Sequence, residues 1–139
     1  MRKIDPDACQ FCGACVSACP VSAISNPPGT ATNAISDSCI DCGACGRICA
    51  FTAVLDQHAQ SCTHARRAEW LKPCFDLKLC TACGLCIQAC PVSCLELYQS
   101  LKMDKTLYPN LSRADDCLAC GFCVDICPVD AVRMASPNN

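Results

Sequence analysis

Four runs of identical spacing, Cys-x2-Cys-x2-Cys-x3-Cys, hold 16 of the 19 cysteines in this 139-residue chain. They are Cys9, Cys12, Cys15 and Cys19; Cys39, Cys42, Cys45 and Cys49; Cys80, Cys83, Cys86 and Cys90; and Cys117, Cys120, Cys123 and Cys127. Thiolates are soft ligands that select iron–sulfur clusters, zinc or Cu(I). Three thiolates at x2 spacing in an irregular loop can wrap one small cluster, and this run is a ligand pattern for a [4Fe–4S] cubane. Zinc also accepts four cysteines. The three-plus-one spacing, repeated four times, suits cubanes better than zinc ribbons. The expectation is four [4Fe–4S] clusters, and a chain built around them moves electrons.

Backbone must bring those sulfurs together. Gly13, Gly43, Gly84 and Gly121 each follow the second cysteine of a run. Glycine there allows a positive φ and a close approach of backbone to sulfur. N–H groups of such loops can donate to cluster sulfurs and raise the potential. The fourth cysteine is expected to open a short helix. Little else can hold the chain together. The 52% apolar content includes the 19 cysteines, and only seven residues are aromatic. Domains of roughly 60–70 residues seldom stand on a hydrophobic core alone. Cluster binding should therefore supply folding energy.

A disulfide scaffold is the rival use of so many cysteines. The chain starts Met-Arg-Lys-Ile-Asp-Pro-Asp with no apolar signal segment behind it, and its apolar stretches are too short for a membrane span. A reducing cytoplasm is expected. The formal charge of −2 counts cysteines as neutral. Each four-thiolate cluster adds about −2 when oxidised, so four take the holo-protein to roughly −10. That disfavours nucleic acid and favours a positively charged docking face on another protein.

Two runs lie in residues 1–58 and two in 73–139, with a basic segment at 59–72 between them. The segments CQFCGACVSACPVSAI, CIDCGACGRICAFTAVL, CTACGLCIQACPVSCLEL and CLACGFCVDICPVDAVRM carry a resemblance. Each half resembles a bacterial two-cluster, 2[4Fe–4S], ferredoxin. The resemblance covers nearly the whole chain apart from the hinge. It implies an α+β fold: two tandem ferredoxin-like domains, each with short hairpins, short helices and a pseudo-two-fold axis, stapled by clusters. In that family the fourth cysteine of a run ligates the other cluster. The implied ligand sets are Cys9, Cys12, Cys15 with Cys49; Cys39, Cys42, Cys45 with Cys19; Cys80, Cys83, Cys86 with Cys127; and Cys117, Cys120, Cys123 with Cys90. Pro20, Pro91 and Pro128 follow three fourth cysteines, whereas Ala50 follows Cys49. That departure should alter local packing and leave ligation intact. A nested pairing, first run with fourth and second with third, is the rival topology. It occurs in four-cluster subunits of some molybdenum and tungsten enzymes, which usually carry a wider spacing in an inner run. That spacing is absent here.

Three cysteines stand outside the runs. Cys94 replaces the alanine found in Pro-Val-Ser-Ala and Pro-Val-Asp-Ala, and should pack as a small apolar residue. Cys62 and Cys74 flank the hinge near His58 and His64. A Cys/His metal site there matches no established spacing, and ordinary thiols are the simpler reading. Residues 60–72, QSCTHARRAEWLK, read as a short helix stopped by Pro73, with Cys62, Ala65, Ala68 and Leu71 on one face. Its basic side is either solvated or a docking element anchored by Trp70. Residues 101–111, LKMDKTLYPNL, lengthen the second half's connection as a longer hairpin or a contact loop.

No Ser/His/Asp constellation, P-loop or G-x-G-x-x-G is present. The reading is a non-catalytic, low-potential electron-transfer chain. It resembles the small iron–sulfur subunits that wire a larger anaerobic oxidoreductase carrying tungsten, molybdenum or flavin on another chain. The alternatives are a freely diffusing polyferredoxin, self-association of copies into a longer relay, and, in another class, a structural metal-binding protein.

Overall fold

Cysteine runs punctuated by glycine and proline leave room for only short regular elements. The computed structural model, which describes residues 1–99 and 105–137, bears this out. The chain divides into two units, Met1–Ala68 and Glu69–Asn139.

The first unit contains β1 (Lys3–Ile4), α1 (Ala14–Ala18), β2 (Ile24–Ser25), β3 (Ala34–Ile35), α2 (Ala44–Ile48) and β4 (Val54–Leu55). β1 pairs antiparallel with β4, Ile4 opposite Val54, and β2 with β3, Ile24 opposite Ile35. The second contains β5 (Lys72–Phe75), α3 (Leu85–Gln88), β6 (Leu95–Gln99), β7 (Leu107–Leu111), α4 (Phe122–Asp125) and β8 (Val132–Ala135). β5 pairs with β8, Phe75 opposite Val132, and β6 with β7, Tyr98 opposite Tyr108. In each unit the first strand pairs with the last and the middle two with each other. The β6–β7 ladder is the expected longer hairpin of the second half, and residues 100–104 of that stretch lie outside the described residues.

The helices sit elsewhere than expected. Each spans the third cysteine of its run and starts at the glycine, while the fourth cysteine follows the helix end. Cys19 and Cys49 are the C-caps of α1 and α2 in extended conformation. The glycine forces this order: Gly13, Gly43, Gly84 and Gly121 are left-handed at φ 75–84°, so a helix can begin only after them. An added Cβ would meet nothing within 4 Å at Gly13, Gly84 or Gly121. Glycine is needed there for conformation, not for space.

The expected helix over 60–72 is absent. Only Arg67–Glu69 makes a 3-10 turn. The amide N–H of Cys62 donates to the carbonyl of Val54 at 2.8 Å, and that of Ala65 to Arg47 at 3.0 Å. Ser61 bridges to Leu55. These donors go to a strand and to α2, so no helical ladder can form, and residues 56–65 strap back onto the first unit. Asp56 fixes the turn by accepting the N–H groups of His58 and Gln60. Pro73 stops no helix; it lies inside β5. Trp70 is only 1% exposed, so it is no solvent-facing anchor.

Apolar burial is thin. The first core is Cys15, Ile24, Cys45, Cys49, Ala53 and Val54, and the second is Cys86, Cys94, Leu95, Cys117, Cys123 and Val132. A buried Val, Leu or Ile stabilises by about 1.5–3 kcal/mol, and each core has only two. The remainder is sulfur and alanine.

Candidate metal centre

Each helix carries its third cysteine inward: Cys15, Cys45, Cys86 and Cys123 are all buried. The loop before the helix places the first and second cysteines around the same space. The run's fourth cysteine leaves the helix end toward a different space. Four cavities result. Cys9, Cys12, Cys15 and Cys49 line one of about 320 Å³. Cys39, Cys42, Cys45 and Cys19 line another of about 300 Å³. Cys80, Cys83, Cys86 and Cys127 line a third of about 320 Å³. Cys117, Cys120, Cys123 and Cys90 line the fourth, of about 310 Å³, together with Cys94. All four volumes are measured to the open mouth. Each cavity draws three cysteines from one run and one from the neighbouring run of the same unit.

The donor set fits a thiolate-held cluster. At least four cysteines line each cavity, and backbone N–H groups point at several of their sulfurs. Ala23 donates to Cys19 Sγ at 3.2 Å, Ala131 to Cys127 Sγ at 3.3 Å and Ala82 to Cys80 Sγ at 3.4 Å. The buried Asn33 adds a side-chain donor to Cys15 Sγ at 3.4 Å. Such bonds favour the anionic sulfur. Among the described residues, no group of three or more His, Cys, Asp or Glu is gathered so as to hold a single metal ion. The cysteines instead surround four separate open spaces.

Burial dominates the cysteine electrostatics. It pushes the Cys45 thiol up to about 12, against the pull of the nearby Arg2. It also raises Cys123 to about 12, with the Cys120 and Cys117 charges adding. Cys15, Cys42 and Cys86 are raised by burial too. Cys9 goes the other way: burial opposes it, but N–H donation from Phe11 and Asn33 outweighs that.

A second backbone device was not legible in the sequence. Phe11, Asp41, Ala82 and Ala119, each just before the second cysteine, have φ of 55–56°. Ser22, Thr52, Ser93 and Asp130, each three residues after a fourth cysteine, have φ of 50–52°. None is glycine, so no residue type announces the turn. Left-handed backbone costs a non-glycine residue about 1–2 kcal/mol, which the surrounding fold must hold in place. The turn after Cys49 keeps this form without proline: Thr52 N–H donates to Cys49 O at 3.2 Å, as Ser93 does to Cys90.

Of the cysteines outside the runs, Cys94 is 2% exposed with its Sγ 3.4 Å from Cys90 Sγ. Cys62 Sγ accepts from Arg2 Nη1 at 3.1 Å. Cys74 is exposed on β5. His58 is exposed and bonds Gln57. Nothing gathers the hinge residues into a metal site among the described residues.

Comparison with known proteins agrees with this chemistry. Residues 2–25 and 36–52 each match a family described as a 4Fe–4S binding domain, and residues 79–131 match a 4Fe–4S dicluster domain. These segments are ferredoxin-type 4Fe–4S binding domains, which support a role in iron–sulfur electron transfer. Among curated proteins none matches. Among solved structures the chain is similar to a chain of the formate dehydrogenase–heterodisulfide reductase–formylmethanofuran dehydrogenase complex from Methanospirillum hungatei. Identity is 21% and the TM-score 0.44, over 97% of this chain and 51% of that one. The chain therefore spans about half the length of that relative. Among the described residues no helix is long and apolar enough to cross a membrane.

Proposed function

We propose that the chain carries four [4Fe–4S] clusters, two in each unit, and passes electrons among them as the small subunit of a larger oxidoreductase. The observation that carries this is the set of four cavities, each lined by three cysteines of one run and the fourth cysteine of its neighbour. The ligands are then Cys9, Cys12, Cys15 and Cys49; Cys39, Cys42, Cys45 and Cys19; Cys80, Cys83, Cys86 and Cys127; and Cys117, Cys120, Cys123 and Cys90. When bound, each cluster supplies one one-electron centre. The protein's part is to exclude water, to aim N–H groups at sulfur and to set the distance between centres. On this reading the two units, Met1–Ala68 and Glu69–Asn139, are duplicated two-cluster modules.

The subunit reading rests on the cavity rims. Val21, Phe51, Leu85 and Val129 line three of the cavities and are themselves 36–45% exposed. Apolar side chains displayed at the edge of a redox site suit burial against a partner protein. A larger redox enzyme, with its catalytic tungsten, molybdenum or flavin on another chain, is the expected partner. A freely diffusing carrier is the second reading.

Anaerobic reductive titration of the purified chain tests the central claim. An uptake of four electrons per chain supports it, and an uptake of two or fewer rejects it. Charged substitutions at Phe51 and Val129 should abolish recovery of the partner; unchanged recovery points to the free carrier.

A further inference from the structure

The four cavities share a plan but not a charge environment. Arg2 lines the cavity of Cys39, Cys42, Cys45 and Cys19. The other three have no lysine, arginine or carboxylate in their linings. Arg47 joins it on α2, its Nη2 donating to the carbonyl of Cys42 at 2.8 Å. The two guanidinium groups meet over the loop glycine: a Cβ at Gly43 would stand 3.1 Å from Arg2 Nη2 and 3.1 Å from Arg47 Nη1. Asp41 answers Arg2 with an ion pair of 2.7 Å, off the line of a proper hydrogen bond. Two guanidinium groups thus stand beside this one cavity.

The molecule supplies its own controls. Four residues after the loop glycine, where α2 has Arg47, the other runs have Ser17, Gln88 and Asp125. In the second unit Asp76 N–H donates to Ala131 O as Asp5 N–H does to Ala53 O. That register puts Pro73 where the first unit has Arg2, and Pro73 lines the corresponding cavity. One lysine approaches a cluster loop there: Lys72 Nζ donates to Ala114 O at 2.6 Å and lies 3.4 Å from Cys117 O. It reaches backbone carbonyls ahead of the run and at its first cysteine, and does not line the cavity itself.

We infer that Arg2 and Arg47 raise the reduction potential of the centre held by Cys39, Cys42, Cys45 and Cys19 above the other three, making it the resting place of the first electron. This rests on the four-cluster reading above. Reduction adds one negative charge to an already anionic group, and partly buried cations favour that step more than solvent does. The effect is local, because both arginines lie against the loop and helix of this one run. Two centres built on one plan in the first unit then differ in potential, and electrons entering the chain collect at one of them.

The test is a redox titration of the full-length holo-protein followed by electron paramagnetic resonance, with iron counted on the same samples. Arg2→Gln and Arg47→Gln should each lower one midpoint and leave the other three in place. Together they should shift that reduction equilibrium by about tenfold, or about 59 mV for one electron. Arg47→Lys should restore most of the shift. Asp41→Asn should raise the same midpoint; asparagine tolerates the left-handed φ of 55° at that position, so the fold should survive. A merely structural role cannot give opposite signs for Arg47→Gln and Asp41→Asn. Full iron with no midpoint moved, with all four moved together, or with Asp41→Asn moving the same way as the arginine variants overturns the inference alone. Fewer than sixteen irons in the wild type overturns the four-cluster reading and the inference with it.

Discussion

A single sulfur atom separates Cys94 from the alanines at equivalent positions. Ala23, Ala53 and Ala131 stand four residues after their fourth cysteines and are each 2% exposed, as Cys94 is. Alanine is therefore compatible with this site. Cys94→Ala should keep the full iron complement, whereas Cys90→Ala, four residues earlier, should lose one cluster's worth. Iron and sulfide analysis separates the two; iron loss from Cys94→Ala would make Cys94 a ligand. Protons act at the same scale. Where the fold buries them, Cys45 and Cys123 are pushed up to about 12, so within the folded unit protons compete with iron for these sulfurs at neutral pH. Binding iron must displace those protons. Because the thiol form is favoured below about 12, cluster affinity should fall steadily as pH falls through that range. Iron release to a chelator, followed by the visible absorbance, should be faster in acid; release that slows on acidification would contradict the assignment.

The strap is the element on which sequence and structure part most clearly. Periodicity at 60–72 suggested a helix because Cys62, Ala65, Ala68 and Leu71 share a helical face. The competing pull is tertiary: Val54 and Arg47 offer carbonyls that take the N–H groups of Cys62 and Ala65. No local signal reveals that. The glycine-led loops were legible in the spacing. The two hairpins of each half were implied by the ferredoxin resemblance, and only the middle pair of each unit joins consecutive strands, the outer pair joining the first strand to the last. The placement of the helices was not, because it depends on the glycine being left-handed. The same sixteen cysteines that the spacing singles out line the four cavities. The approach of Arg2 to one cavity was invisible, since Arg2 lies 41 residues from the glycine it covers. Gly46 records how closely the strap approaches α2: a Cβ there would stand 2.5 Å from Cys62 Cβ. Gly46→Ala should cost on the order of 1–3 kcal/mol through overpacking. It should lower the thermal midpoint of the holo-protein and open residues 56–65 to protease. An unchanged midpoint and cleavage pattern would mean the strap is not seated on α2.

For the whole chain, the four-cluster proposal makes stability and function rest on the same bonds. Each unit has a core of a few aliphatic side chains, and the other buried core residues are cysteines and an alanine. Folding carries backbone entropy of about 1–2 kcal/mol per residue, which so small an apolar core does not offset. Chelated, cluster-free chain should therefore lose its native circular dichroism and regain it only on reconstitution with iron and sulfide. Retention of the native spectrum without metal would show that the cysteine cavities are not what holds the units together. The single most direct test of the four-cluster claim is native mass spectrometry of the anaerobically prepared full-length chain. A mass carrying sixteen irons and sixteen sulfides is expected, while eight irons, or zinc in their place, would contradict it.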